Sequence, residues 1–203
     1  MTVGDALDSF FQHMRLAHPT LVTEYDPEWP SPCELGESIM FEPDPDNQAL
    51  GYGGSGHQDS GKQIAWHPVR RSALAGDFDG LENALETQIH SDIKAYYGRY
   101  WSANLAAEAP DGHVSLLFLW NQEDVDRLIE NLIGHAIACQ QNKVPFSVFF
   151  ALTEDDSELF LSVNNATGQV QLEKPGHPPV RVVADSLAEF LTYLVPSTKS
   201  FAS

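Results

Sequence analysis

The sequence predicts an α+β fold, with helices packed on a largely antiparallel central sheet in one domain spanning residues 1–203. Three observations carry this. Stretches with helical spacing of apolar residues alternate with short apolar runs of strand length. From residue 146 onward the strands follow one another as a meander, with a hairpin turn at "NATG" (165–168). At 203 residues the chain is long enough to bury one substantial core.

Leu7, Phe10, Phe11 and Met14 recur at helical spacing and predict a first helix over about 4–17. "HPTLVTEYDPEWPSPC" is rich in proline and turn residues and reads as an extended wrap over the surface. Short strands are expected at 39–41 and 63–66. Between them lies a Gly-rich stretch, about 43–62, that is too polar to pack and reads as a mobile loop. Asp77 or Asp79 is a candidate cap for a long helix, "LENALETQIHSDIKAYYGRYW", with an apolar stripe of Leu81, Leu85, Ile89, Ile93, Tyr96, Tyr97 and Tyr100. Glu82 and Glu86 fall off that stripe, one turn apart on the same exposed side.

"HVSLLFLW" (113–120) reads as a central strand. Asn121 then suits an N-cap, with Glu123 and Asp124 in the first turn, where the helix dipole favours carboxylates. The helix that follows buries Val125, Leu128, Ile129, Leu132, Ile133, Ala136 and Ile137, and ends near Lys143 and Pro145. Strands are expected at 146–152, 159–165, 169–173 and 180–183. A last helix opens with the capping box of Ser186 and Glu189. It stops by Pro196, and the tail 197–203 reads as disordered.

Composition narrows the function. The formal net charge is −18, from 29 acidic and 11 basic residues. Phosphates repel such a chain, so a nucleic-acid partner is not expected, and neither is direct insertion into anionic lipid. Basic partners are favoured, with an attraction that salt screens. The N-terminus has no basic region followed by an apolar run, and no apolar stretch is long enough to span a bilayer. A cytoplasmic location is therefore expected. Cys33 and Cys139 lie far apart and read as small buried hydrophobes.

The chemical motifs in the sequence lack the context their chemistry needs. "GHQDSGK" (56–62) fits the spacing of a phosphate loop, but Gln63 replaces the magnesium-binding Ser or Thr, and Pro68 opposes a following helix. The eight histidines show no paired ligand spacing, so no metal or other cofactor is expected. His135 is read as a boundary histidine, hydrogen-bonded to a neighbouring element and without a ligand partner one helical turn away. An enzyme using His135 with nearby acid is the rival reading. Acid is concentrated in three places: Glu82 with Glu86; Glu123, Asp124, Asp126 and Glu130; and Glu154, Asp155, Asp156 and Glu158. Gathered around a concavity, such groups focus a negative potential that speeds association with cations by about 10 to 10³-fold.

"SPC" after a Trp- and Pro-containing wrap, "LENALETQIHSDIKAYYGRYW", "LWNQEDVDRLIENLIGHAI" followed by "VPFSVFFAL", "SVNNATGQV" and "SLAEFLTYLVP" together resemble the SecY-interacting Syd family, over about residues 25–195. The resemblance implies a SUKH-like fold and a non-enzymatic protein that binds the cytoplasmic loops of SecY. It would sit peripherally at the cytoplasmic face of the inner membrane and act as a check on the SecYEG translocon. It also implies an acidic concave surface, onto which Glu82, Glu86, Glu123, Asp124 and Glu130 are carried over, with Glu82 and Glu86 as the foremost groove residues and service to the helix as the alternative role for Glu130. The chain departs from the family pattern in the longer 43–62 segment. The alternative within related folds is an immunity-type protein that neutralises a basic toxin.

Overall fold

Short apolar strands, the central ones buried on both faces, build a curled seven-stranded sheet in the computed structural model, which describes residues 1–36, 39–40, 62–71, 77–153 and 158–197. The sheet comprises β6 (Leu105–Ala109), β7 (Gly112–Leu116), β8 (Ser147–Leu152), β9 (Phe160–Asn164), β10 (Val170–Glu173), β11 (Arg181–Ala184) and β12 (Val195–Pro196). Its order is β11-β10-β9-β8-β7-β6-β12, antiparallel throughout. The curl brings Arg181, on the β11 edge, to 2.7 Å from Asp111 in the β6–β7 turn, four strands away.

Before the sheet come α1 (Val3–Ala17), β1 (Leu21–Glu24), β2 (Ile39–Met40), β3 (Lys62–Trp66), β4 (Val69–Arg70), α2 (Asp79–Leu85), α3 (Ser91–Tyr97) and β5 (Tyr100–Trp101). A second small sheet runs β1-β3-β2, and β4 pairs with β5. α4 (Gln122–Asn142) connects β7 to β8, and α5 (Leu187–Thr192) connects β11 to β12.

The two faces of the sheet divide by residue parity. Val148, Phe150, Leu161, Val163 and Val170 are buried on one face, where Phe150 meets Phe190 of α5 and α5 packs on α1. Ser147, Ser162 and Glu173 point to the other face, which α4 covers. α1 carries a true capping box: the Thr2 hydroxyl accepts the Asp5 N–H while the Asp5 carboxylate accepts the Thr2 N–H. Its buried face adds Leu7, Phe10, Phe11 and Met14 to one continuous hydrophobic core.

The α+β class and the first, fourth and fifth helices match the sequence reading. Three elements differ. The long helix expected from residue 81 is two helices, and neither Asp77 nor Asp79 caps the first; the N-cap is Phe78, with no side-chain bond. α2 stops because Glu86 adopts a left-handed conformation (φ 50, ψ 35). The backbone beyond it is held by tertiary bonds. Asn165 donates to the Gln88 carbonyl at 2.8 Å and accepts the His90 N–H at 2.9 Å. The His90 ring then caps α3 by accepting the Asp92 N–H. Contacts from a distant hairpin turn thus override a helical run that propensity alone favours.

Second, the strand expected over 113–120 ends at Leu116, and β6 was not foreseen. Asn104 takes the Phe118 N–H and Asp124 takes the Trp120 N–H, so side chains replace the ladder. Third, Ile137 was expected in the buried stripe of α4 and is 47% exposed. It sits one turn from Gly134, on the solvent side of the helix. The 43–62 stretch, apart from Lys62, lies outside the described residues, as do 154–157 and 198–203 of the expected acidic turn and tail.

Candidate acidic binding surface

α2 packs against α4, so the acid on these two helices belongs to neighbouring elements. Asp79, Glu82, Asn83, Glu86, Thr87 and Gln88 line an open polar hollow of about 500 Å³ where α2 breaks. Along α4, Glu123, Asp126 and Glu130 are exposed at spacings of three and four residues, which puts them on one solvent-facing stripe.

The five carboxylates carried over from the resemblance do not share one environment. Glu86 stands exposed at the end of α2. Glu82 does not lie on an exposed face with it: Glu82 is 9% exposed. Its Oε1 accepts the buried Ile89 N–H at 2.8 Å and forms an ion pair with Lys94. The Lys94 ammonium and the Ile89 amide hold its carboxyl below the usual carboxylate range. Glu82 therefore braces the α2–α3 junction and presents its charge from the floor of the hollow. Asp124 is half-buried and occupied: it accepts the Trp120 N–H at 2.9 Å, and its own amide is capped by Asn121 at 3.1 Å. Glu123 and Glu130 are exposed.

The Trp-containing wrap fixes the start of α4. Asn121 donates to the Pro30 carbonyl, the Trp120 indole donates to the Trp29 carbonyl, and the Arg127 guanidinium lies 3.9 Å above the Trp29 ring. Of the expected third acidic cluster, only Glu158 is described, and it pairs with Lys174 away from α2. Asp79 is a lining residue the sequence reading considered only as a cap. Its signal was its position one turn before Glu82, on the same side of a short helix.

The cations are largely consumed inside the molecule. Arg70 and Arg99 engage Asp8, Arg71 engages Asp77 and Lys94 engages Glu82. Arg127, Lys174 and Arg181 engage Asp124, Glu158 and Asp111. Asp8 takes two of these cations, so six carboxylates are occupied, while Glu86 at the end of α2 and Glu123, Asp126 and Glu130 of α4 stand exposed outside these pairs.

His135 forms the hydrogen bond to a neighbouring element that the sequence led us to expect: its Nε2 lies 3.2 Å from the Ser147 hydroxyl. One correction is needed. Cys139, one turn along α4, does approach it, with Sγ 3.5 Å from Nε2. The Ser147 hydroxyl donates to Glu173 at 3.0 Å, and Ser162 and Gln171 donate to the same carboxylate. With its one hydrogen spent on Glu173, Ser147 can only accept from His135. Nε2 is then a donor and cannot deprotonate the serine, the reverse of a nucleophile–base pair. Ser147 is also fully buried. Burial lowers the His135 pKa, with the Glu173 carboxylate opposing, and raises that of the Cys139 thiol. Among the described residues, no group of three His, Cys, Asp or Glu side chains is arranged to hold a metal ion.

Residues 4–196 match the family described as Syd protein (SUKH-2). The chain belongs to this family. Relatives named Protein Syd agree along most of the chain or a large part of it. That of Pseudoalteromonas atlantica is 36% identical over 201 residues, 97% of each chain. That of Colwellia psychrerythraea is 37% identical over 191 residues, covering 90% of this chain and 84% of its own. That of Hahella chejuensis reaches 45% identity over 120 residues, 59% of this chain and 62% of its own. The Syd match spans the acid-bearing helices α2 and α4 as well as the sheet. Among the described residues of this Syd family member, no helix is long and apolar enough to cross a membrane.

Proposed function

We propose that this Syd family member is a non-catalytic binding protein whose acidic α2–α4 surface docks on the basic cytoplasmic loops of the SecY channel, and so acts as a check on SecYEG at the inner membrane. The observation that carries the reading is the outward surplus of carboxylate, left after seven of the basic side chains pair internally, on two helices that touch. Cytoplasmic loops of membrane proteins are enriched in Lys and Arg. An anionic protein is complementary to such loops while anionic lipid repels it, so a protein partner recruits it to the membrane. Glu86, Glu123 and Glu130 are the exposed members of the surface and the ones that meet the partner. Glu82 and Asp124 hold α2 and α4 in place and add to the field from behind.

Charges at the rim of an interface act mainly on association rate and salt dependence. The test is binding of a fluorescent SecY-loop peptide at increasing salt. Affinity falls steeply toward 0.5 M salt on this reading, and Glu86→Lys with Glu123→Lys and Glu130→Lys abolishes binding while leaving the fold intact. Affinity that ignores both salt and the three reversals removes the proposal.

A further inference from the structure

On the sheet face opposite α4, the curl encloses a second cavity of about 320 Å³. Its walls are apolar: Leu159, Leu161, Leu172, Val183, Val114 and Phe190. The β6–β7 turn and Tyr193 of the α5 end form its mouth, and the Arg181–Asp111 ion pair spans that mouth. A cavity of about 150 Å³ with this kind of lining holds a benzene ring. This one has room for a Phe- or Leu-sized side chain and opens to solvent. Half-exposed Tyr193 extends the apolar surface outward at 51% exposure.

The charge around the mouth decides the occupant. Asp111 lines the cavity, and Glu158 adjoins lining residue Leu159. At the mouth, Glu189 accepts a hydrogen bond from the Tyr193 hydroxyl. The nearby cations are spoken for, Arg181 by Asp111 and Lys174 by Glu158. Among the described residues, Glu189 therefore leaves the rim net negative around an apolar hole. The geometry points to an anchor pocket that takes one large apolar side chain from a cationic polypeptide, with a flanking Lys or Arg meeting Glu189. This rests on the proposed preference for basic partners and adds a residue-level specificity to it.

The probes are two oligolysine peptides that differ only in one central residue, glycine or phenylalanine, titrated into the full chain at low salt. The phenylalanine peptide binds about tenfold tighter, the order expected for burying one such side chain, and it alone shifts the methyl resonances of Leu161, Leu172 and Val183. Val183→Phe fills the cavity and erases the difference while preserving the affinity for the glycine peptide. Tyr193→Ser, at a surface position, reduces the difference. The peptide comparison itself needs no variant to fold. Equal, salt-sensitive binding of both peptides overturns the pocket and leaves the charge reading standing. A phenylalanine advantage with no salt dependence keeps the pocket and removes the charge reading. Failure of either peptide to bind removes both.

Discussion

Replacing Glu82 by alanine separates a structural carboxylate from a binding one. The side chain supplies the acceptor for the buried Ile89 N–H at 2.8 Å and the partner of Lys94. Its loss strands that amide, which costs about 1–3 kcal/mol. The Lys94 pair adds only about 0–1 kcal/mol, because the lysine side chain is 36% exposed and screened by water. The sum is roughly 1–4 kcal/mol. For a chain of this size that lowers Tm by about 2–16 °C. Urea unfolding reads the same quantity as a fall in midpoint at unchanged slope. Glu86→Ala, four residues on and exposed, stays within about 0.5 kcal/mol of the parent. A Glu82→Ala protein as stable as Glu86→Ala would refute the assignment of Glu82 to the α2–α3 junction. By the same argument a Glu82→Lys, Glu86→Lys double reversal confounds unfolding with lost binding, which is why the binding test above uses exposed positions.

Three further outcomes follow from the geometry. Gly168 has φ +77, and a Cβ there would lie 2.6 Å from the His90 ring that caps α3; Gly168→Ala therefore costs about 2–3 kcal/mol by urea unfolding, combining the left-handed penalty with a displaced cap. Lys143 ends α4 with φ 57, a position glycine favours, so Lys143→Gly raises stability by roughly 0.5–1 kcal/mol in the same assay. His135 is held neutral by burial, its pKa below the ordinary 6.5. The unfolded chain thus takes up the proton first as pH falls, and the contribution of His135, full above pH 6.5, is lost below it. His135→Gln, which retains a donor for Ser147, flattens the decline in unfolding free energy between neutral and acidic pH, and an unchanged pH profile would count against this.

The sequence revealed the class of fold and most helices because α1, α4 and α5 each carry an apolar stripe and a local cap, and both signals act within a few residues. What it hid depends on contacts between distant segments. The break after Glu86 is imposed by Asn165, nearly eighty residues away, so helical spacing alone joined α2 to α3. The same break turned Glu82 from an apparent surface residue into a buried brace. β6 was missed because "LAAEA" has neither β-branched residues nor clean alternation; its pairing with β7 and β12 makes it a strand. Of the candidate surface, residue type and approximate position were legible. Which carboxylates are free and which are occupied was not, since Lys94 and the Trp120 amide reach them only in the folded chain.

The most direct test is capture of detergent-solubilised SecYEG by the intact chain and by the Glu86→Lys, Glu123→Lys, Glu130→Lys variant at low and high ionic strength, after circular dichroism shows both are folded. Retention by the parent at low salt only, with the variant failing at both, is the predicted pattern. Equal retention by the two proteins at both salt concentrations would contradict an electrostatic origin of binding.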